Sequence, residues 1–385
     1  MTDATPPSER PPKEAPSAPA EATSAPPDKA PDPAGAKTRS PAGGPALPLG
    51  AAGVLAVLLV FAAIGTGLAI GTVARPSPTP RPTPTSPPPT RTPVPTTDPT
   101  VFRQQLSSGC ATGQAIWVVS SGGGLLRYDG KDWSQVDSTL RTLTQASCDA
   151  RTLYAVGPVG AVLIVDDLAR SINAFDVTLQ DLRGVAAMPT GAMTSGALGT
   201  VLLLHGGTWQ PYAAGIDEDL NALVVFGLES AWAVGSQGIS YRLEVAGWRA
   251  VPTGVDVTLR AIAGGNVRAV VAVGDGGTIV ALSGATWSKV DSGVQVPLRS
   301  VAAVGSTAWI VGDDGVVLTA EGVLRAPEIP AKEPVVERVD IGTTCALTSV
   351  FAQGQDIWII GSSGGGRAGV WKLRDKRVVE RWGEC

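Results

Sequence analysis

Short apolar runs separated by glycine turns fill the chain after about residue 100, and they recur at a nearly constant interval. The turns begin at Ser120, Gly157, Gly196, Gly235, Gly274, Gly312 and Gly361, with steps of 37, 39, 39, 39, 38 and 49 residues. They close three residues later, on Gly123, Gly160, Gly199, Gly238, Gly277, Gly315 and Gly364. A period near 40, with strand-length apolar runs on both sides of a glycine turn, is the pattern of a β-propeller with one four-stranded blade per repeat. Seven repeats therefore predict an all-β, seven-bladed β-propeller over residues 101–385.

Each repeat reads as an apolar strand, a turn, a second strand ending at the first glycine, a hairpin, and third and fourth strands. A large side chain stands about three positions before the turn in five repeats: Trp117, Tyr154, Trp232, Trp309 and Trp358, with Met193 and Val271 in the other two. These should pack between neighbouring blades, because a blade cannot bury both faces alone. Glycine at the turn is expected where φ must be positive. Ten residues beyond the closing glycine stand Trp133, Trp209, Trp248 and Trp287, and at the same offset Arg170, Arg325 and Arg374. The arginines predict a more exposed outer strand in those three blades. The longest step contains 321–342, whose Pro327, Pro330 and Pro334 read as a loop.

The first hundred residues are of three other kinds. Residues 1–47 are rich in Pro and Ala with no aromatic residue, a composition that predicts a disordered tail. Residues 48–74 carry no charge; at about 1.5 Å per residue they are long enough to cross a hydrocarbon layer about 30 Å thick as one transmembrane helix. Within it, Gly67 and Gly71 have the spacing that lets a second helix approach, so dimerisation there is one reading and ordinary membrane-helix glycine the other. Residues 75–100 form a Pro/Thr-rich linker, expected as an extended polyproline stalk. Lys29, Lys37 and Arg39 before the span balance Arg75, Arg81 and Arg91 after it, so charge leaves orientation open. All four cysteines, Cys110, Cys148, Cys345 and Cys385, follow the stalk, which suits disulfides in an oxidising compartment. The expectation is a single-pass protein of the cell membrane, N-terminus cytoplasmic and propeller extracytoplasmic. Three disulfide pairings are open, and strand placement favours Cys110 with Cys148 and Cys345 with Cys385.

Candidate chemistry is sparse. The single histidine, His205, ends a strand before a glycine turn and has no indicated partner, so a structural role is expected. No pair of Cys or His residues has ligand spacing, and neither a metal nor a cofactor is expected. Asp275, Asp313 and Asp314 stand in the turns, where Asp is favoured by its own hydrogen bonding. The strongest positional signal is four Leu-Arg pairs ending in Arg141, Arg183, Arg260 and Arg299 at the entry of first strands. First strands line a propeller axis, so these arginines predict a partner-binding ring at one channel mouth. The competing reading pairs each with an acid nearby, such as Asp137, Asp181, Asp256 or Asp291. Basic residues between Arg367 and Arg381 alternate with Asp375 and Glu380 and read as a solvated strand; with a net charge of −4, nucleic acid is not an expected partner.

The strings Ala231-Trp-Ala-Val-Gly-Ser-Gln-Gly238 and Leu126-Arg-Tyr-Asp-Gly-Lys-Asp-Trp133 resemble the propeller repeats of the photosystem II assembly-factor-like family, related to the BNR and sialidase repeats. The resemblance covers residues 101–385 and implies a seven-bladed propeller acting as a protein-binding or assembly scaffold. The tail and membrane segment depart from the photosynthetic members, so a photosynthetic partner is not implied. Tyr128–Trp133 and Ser283–Trp287 also resemble fragments of the sialidase Ser-x-Asp-x-Gly-x-x-Trp box without completing it. The reading is a scaffold that binds another envelope protein, the alternative a glycan-active hydrolase or lyase, or a glycan-binding module, on the same fold.

Overall fold

Seven four-stranded sheets follow one another along the chain, at residues 106–138, 145–176, 182–211, 220–250, 259–290, 298–338 and 346–383. The computed structural model describes residues 99–138, 141–212, 215–324 and 333–385. The expected tail, the membrane span with Gly67 and Gly71, and all but the end of the stalk lie outside the described residues. Among the described residues no helix is long and apolar enough to cross a membrane. In every sheet the strands, lettered A to D in chain order, pair antiparallel with their sequence neighbours, so each repeat is one meander blade.

The A strands are innermost. Each packs against the A strand of the next blade, and that of blade 7 (Ala346–Gln353) returns to that of blade 1 (Leu106–Ala111), which closes the ring. A strands of adjacent blades share no ladder, so their inward amides need other acceptors. At four junctions a serine supplies one: Ser108 Oγ accepts from Ala146 N–H (3.1 Å), Ser147 Oγ from Ala187 N–H (3.0 Å), Ser300 Oγ from Val350 N–H (3.2 Å) and Ser349 Oγ from Gly109 N–H (3.4 Å).

The buried apolar residues fall into seven clusters, and each cluster joins two neighbouring blades. The large strand-B residues sit in these interfaces as expected: Trp117 with Leu153 and Leu163 of blade 2, Trp232 with Ile262 and Leu282 of blade 5, Trp358 with Leu126 and Tyr128 of blade 1. The last-to-first junction is the most aromatic. Trp358 stacks on Trp382 at 5.5 Å, and Trp382 lies 5.1 Å from Tyr128 and 5.9 Å from Trp133. Cys345 pairs with Cys385 at an Sγ–Sγ distance of 2.01 Å and ties the chain end to its blade, while Cys110 pairs with Cys148 at 2.08 Å across blades 1 and 2.

Three details differ from the sequence reading. The first glycine of the turn is extended: Gly196 has φ −168°, and glycine is needed there because a Cβ would lie 2.1 Å from the Asp181 carbonyl oxygen. The left-handed residues are the third and fourth, Leu198 (φ 51°) and Gly199 (φ 63°) in blade 3. In the outer strands, register overrides counting. Trp133, Trp209, Trp248 and Trp287 pair with the fifth residue after the closing glycine; in blades 2 and 6 the residues so paired are Ile172 and Val336, and in blade 7 the fifth residue, Gly369, pairs with Gly383. Arg170 stands instead in a longer turn, Arg374 ends a C strand, and Arg325 lies outside the described residues. Finally, the insertion read as loop contributes Val335–Arg338, which is strand D of blade 6 and begins directly after Pro334.

Candidate functional site: one mouth of the propeller

Strands alternate in direction, so the B–C turns and the D–A connections meet at one mouth. Each A strand enters there through a buried leucine: Leu106, Leu143, Leu182, Leu220, Leu259, Leu298 and Leu347. The residue after it occupies the same place in every blade, and around the ring this position reads Ser107, Thr144, Arg183, Asn221, Arg260, Arg299 and Thr348. Three of them donate a hydrogen bond to the leucine carbonyl of the next blade: Ser107 to Leu143 (2.7 Å), Asn221 to Leu259 (2.9 Å) and Thr348 to Leu106 (3.2 Å).

Arg183, Arg260 and Arg299 share this ring; Arg141 does not. It precedes Leu143 by two residues, and its guanidinium pairs with Asp176 on strand D of blade 2. The acids that meet the ring arginines are also not the ones nearest in sequence. Arg183 Nη1 donates to Asp219 Oδ2 (2.8 Å) and to Asn221 Oδ1 (3.2 Å) of blade 4. Arg260 binds Asp275 through Nε (2.5 Å) and Nη2 (3.1 Å), and Arg299 is bidentate on Asp313, so two turn aspartates serve as the partners. Asp313 raises the pKa of Arg299 above its ordinary value, chiefly through that hydrogen bond. The carboxyl of Asp219 is held below its ordinary range, first by the Leu198 backbone N–H (3.0 Å) and then by Arg183. The mouth thus carries alternating charge, fixed in paired side chains.

Beside these pairs lies an apolar arc that the sequence reading missed. The third turn residue adopts φ between 51° and 62° in blades 2 to 6, and it is Val159, Leu198, Gln237, Gly276 and Asp314 in turn. Gly and Asp suit that backbone, Gln and Leu meet the ordinary Cβ penalty, and a β-branched valine is a steric outlier there. Val159 is 58% exposed, Leu198 65%, and Leu179, in the connection between blades 2 and 3, 87%. The arc is built into the charge ladder, since Asp181 Oδ1 accepts the Val159 N–H (2.9 Å) and Asp219 holds both Leu198 and Arg183. Counting the third turn residue across the repeats is the signal that finds it. At the same mouth Tyr241 donates to Glu218 Oε2 (2.8 Å); its hydroxyl pKa is pushed up to about 12 by burial first and by Glu218 second.

The remaining candidates are separate. His205 is exposed at the opposite mouth, and its carbonyl accepts from Thr208 (3.2 Å). Three basic residues of blade 7 are paired, Lys372 with Glu380 (2.9 Å), Arg374 with Asp356 (2.7 Å) and Lys376 with Glu337 (2.7 Å). Among the described residues no group of three or more His, Cys, Asp or Glu side chains is placed to hold a metal ion.

This geometry defines a seven-bladed β-propeller with one asymmetric mouth. No family model matches the chain, and no curated protein matches it in sequence. Among solved structures it is similar to YCF48 from Cyanidioschyzon merolae, at 14% identity over 71% of this chain and 97% of that one, with a TM-score of 0.56. A structure of YCF48 bound to D1 peptide is similar at 14% identity over 69% and 92%, TM-score 0.53. The WD40 β-propeller domain of Doa1 is similar at 12% identity over 71% and 94%, TM-score 0.55. At these identities the likeness is one of fold.

Proposed function

We propose that this chain is a membrane-anchored, extracytoplasmic scaffold that binds another protein of the cell envelope at the mouth carrying Arg183, Arg260 and Arg299. The observation that carries the reading is the pair Val159 and Leu198: two exposed apolar side chains held in a left-handed backbone, at sites where the sister blades use Gln, Gly and Asp. Strain of that kind, about 1–2 kcal/mol per residue, persists where the exposed side chain has a use. The partner surface would set apolar side chains on Val159, Leu179 and Leu198 and polar groups on the Arg–Asp pairs of blades 5 and 6. A YCF48 structure of the same fold holds a peptide, which supports a polypeptide as the ligand. The anchor rests on the uncharged run 48–74, and the outward orientation on the cysteines.

The test places a photo-crosslinking amino acid at Leu198 of the full-length chain, and separately at Val245, which is still more open and lies in a C–D hairpin on the opposite face. A discrete protein adduct from position 198, absent from position 245 and lost when Arg260→Glu and Arg299→Glu are added, is the expected result. Equal adducts from both positions, or none from 198, would remove this mouth as the docking surface.

A further inference from the structure

The outer edge of the blade 1–blade 2 junction holds a cavity of about 180 Å³, lined among others by Trp117, Arg127, Val136, Val165 and Ile172. The propeller's own repeats say what belongs in it. Three strand-B tryptophans lie under a cation from the paired position of strand C: Trp117 under Arg127 (5.6 Å), Trp232 under Arg242 (5.8 Å) and Trp358 under Lys372 (5.5 Å). Two of the three also receive an indole from strand D of the following blade: Trp287 against Trp232 at 5.4 Å, and Trp133 against Trp358 at 6.5 Å, both edge to face. Trp117 receives none. Its register equivalent in blade 2 is Ile172, opposite Val165 just as Trp287 is opposite Leu282. Beside Ile172 the cavity is open.

The rim is built to last. Asp167, buried, accepts from Thr112 Oγ1 (2.6 Å) and from Arg127 Nε (3.3 Å), which fixes the guanidinium over the ring without help from an occupant. Asp129 Oδ1 accepts from the backbone N–H groups of Lys131 (3.0 Å) and Asp132 (2.9 Å), and Asp166 Oδ1 from those of Leu168 (3.0 Å) and Ala169 (2.9 Å), so both lining turns are held from within. The volume also selects the ligand class. It is close to the roughly 150 Å³ that takes one benzene in an engineered apolar cavity, and below the roughly 300 Å³ at which small-molecule sites begin.

We propose that this cavity is an anchor site for one aromatic side chain of a partner polypeptide, which supplies from outside the indole that blades 1 and 5 supply from within. The ring packs on Ile172, Val165 and Val136 with its edge toward Trp117, and Ser134 and the carboxylates at the rim meet the polar backbone that carries it. The site is independent of the mouth described above and stands whether or not that mouth binds.

The experiment titrates the full-length chain with N-acetyl-tryptophanamide, with N-acetyl-alaninamide as the control, and follows binding by saturation-transfer NMR. Saturable binding of the tryptophan amide alone is expected, weakened at least about tenfold by Ile172→Trp, which delivers the indole in cis. The variant should also melt no lower than the natural chain, because it fills existing space. A second reading needs no variant: contacts from the bound indole to the Ile172, Val165 and Val136 methyl groups. Absence of saturable binding, binding unchanged in a folded Ile172→Trp chain, or contacts to methyl groups elsewhere would each overturn the site.

Discussion

Glycine is required in the B–C turn for two separable reasons, and blade 3 allows them to be measured apart. Gly206, in the C–D hairpin, has φ 58° and open space where a Cβ would go; Gly196 is extended but its Cβ would meet the Asp181 carbonyl at 2.1 Å; Gly199 combines φ 63° with a Cβ 1.8 Å from the Ile216 carbonyl. Ala at a left-handed position costs about 1–2 kcal/mol, offset by about 0.4–1 kcal/mol from a stiffer unfolded chain, so Gly206→Ala should destabilise by about 0.5–1 kcal/mol. Gly196→Ala has no conformational cost. It must push two backbones apart, which strains the Ala197 N–H to Asp181 carbonyl bond of 2.9 Å and brings an overpacking cost of about 1–3 kcal/mol. Gly199→Ala incurs both, about 2–4 kcal/mol. Urea denaturation of the full-length variants reads the order from the midpoints at unchanged slope. A neutral or stabilising Gly196→Ala would refute the close approach of turn and connection, and equal losses at Gly206 and Gly199 would reduce the turn to a φ requirement alone.

Val159→Gly should raise the urea midpoint by the equivalent of about 0.5–1 kcal/mol while weakening partner capture at the mouth, because it relieves the left-handed valine and removes its side chain together; a drop in stability would show that Val159 is packed rather than strained. Trp382→Ala should cost about 2–3 kcal/mol, at or below the foot of the range for large aromatic truncations because the side chain is only half-buried, and hydrogen exchange should quicken first in blades 7 and 1; uniform quickening would contradict a locally held closure. The raised pKa of Tyr241 means that the folded chain holds this proton more tightly than the unfolded one. Its stabilisation is complete below about pH 10 and is lost as pH rises toward about 12, and a Tyr241→Phe chain should lack that alkaline component in a pH series of melting temperatures. Asp219 has the opposite sign: its contribution is present above the ordinary carboxylate range and fades as pH falls through its lowered value, a loss that Asp219→Asn should abolish.

The blades were legible in the sequence because each repeats the same demands: a buried leucine leading into strand A, a large residue on strand B, and a turn with glycine where a Cβ would strike the adjoining connection. Counting fails where a strand changes register or a turn changes length. Blade 2 has a turn of four residues, Asp167 to Arg170, between strands C and D, where blade 3 has only Gly206 and Gly207, so the offset that finds Trp209 lands on Arg170 and misses Ile172. Arg141 escapes the count in the same way: blade 2 has a shorter A strand, Gln145–Cys148, and the buried leucine that leads into it is Leu143, two residues after Arg141 rather than directly before an arginine. The Arg183 ion pair was not legible, because Arg183 reaches Asp219 across a blade boundary and 36 residues of chain.

A propeller assembled from seven nearly equal interfaces separates what must stay constant from what can vary. The leucine that opens each A strand is buried in all seven blades, while the residue after it runs through Ser, Thr, Arg, Asn, Arg, Arg and Thr. The third turn residue likewise changes from apolar in blades 2 and 3 to polar or glycine in blades 4 to 6 at an almost fixed φ. Backbone geometry is therefore the same over blades 2 to 6, and there only the chemistry is directional: an apolar arc over blades 2 and 3, then Arg–Asp pairs over blades 5 and 6. A ligand centred on the axis would gain nothing from that asymmetry. An elongated polypeptide laid across the mouth, apolar at one end and polar at the other, would meet both halves in a single orientation.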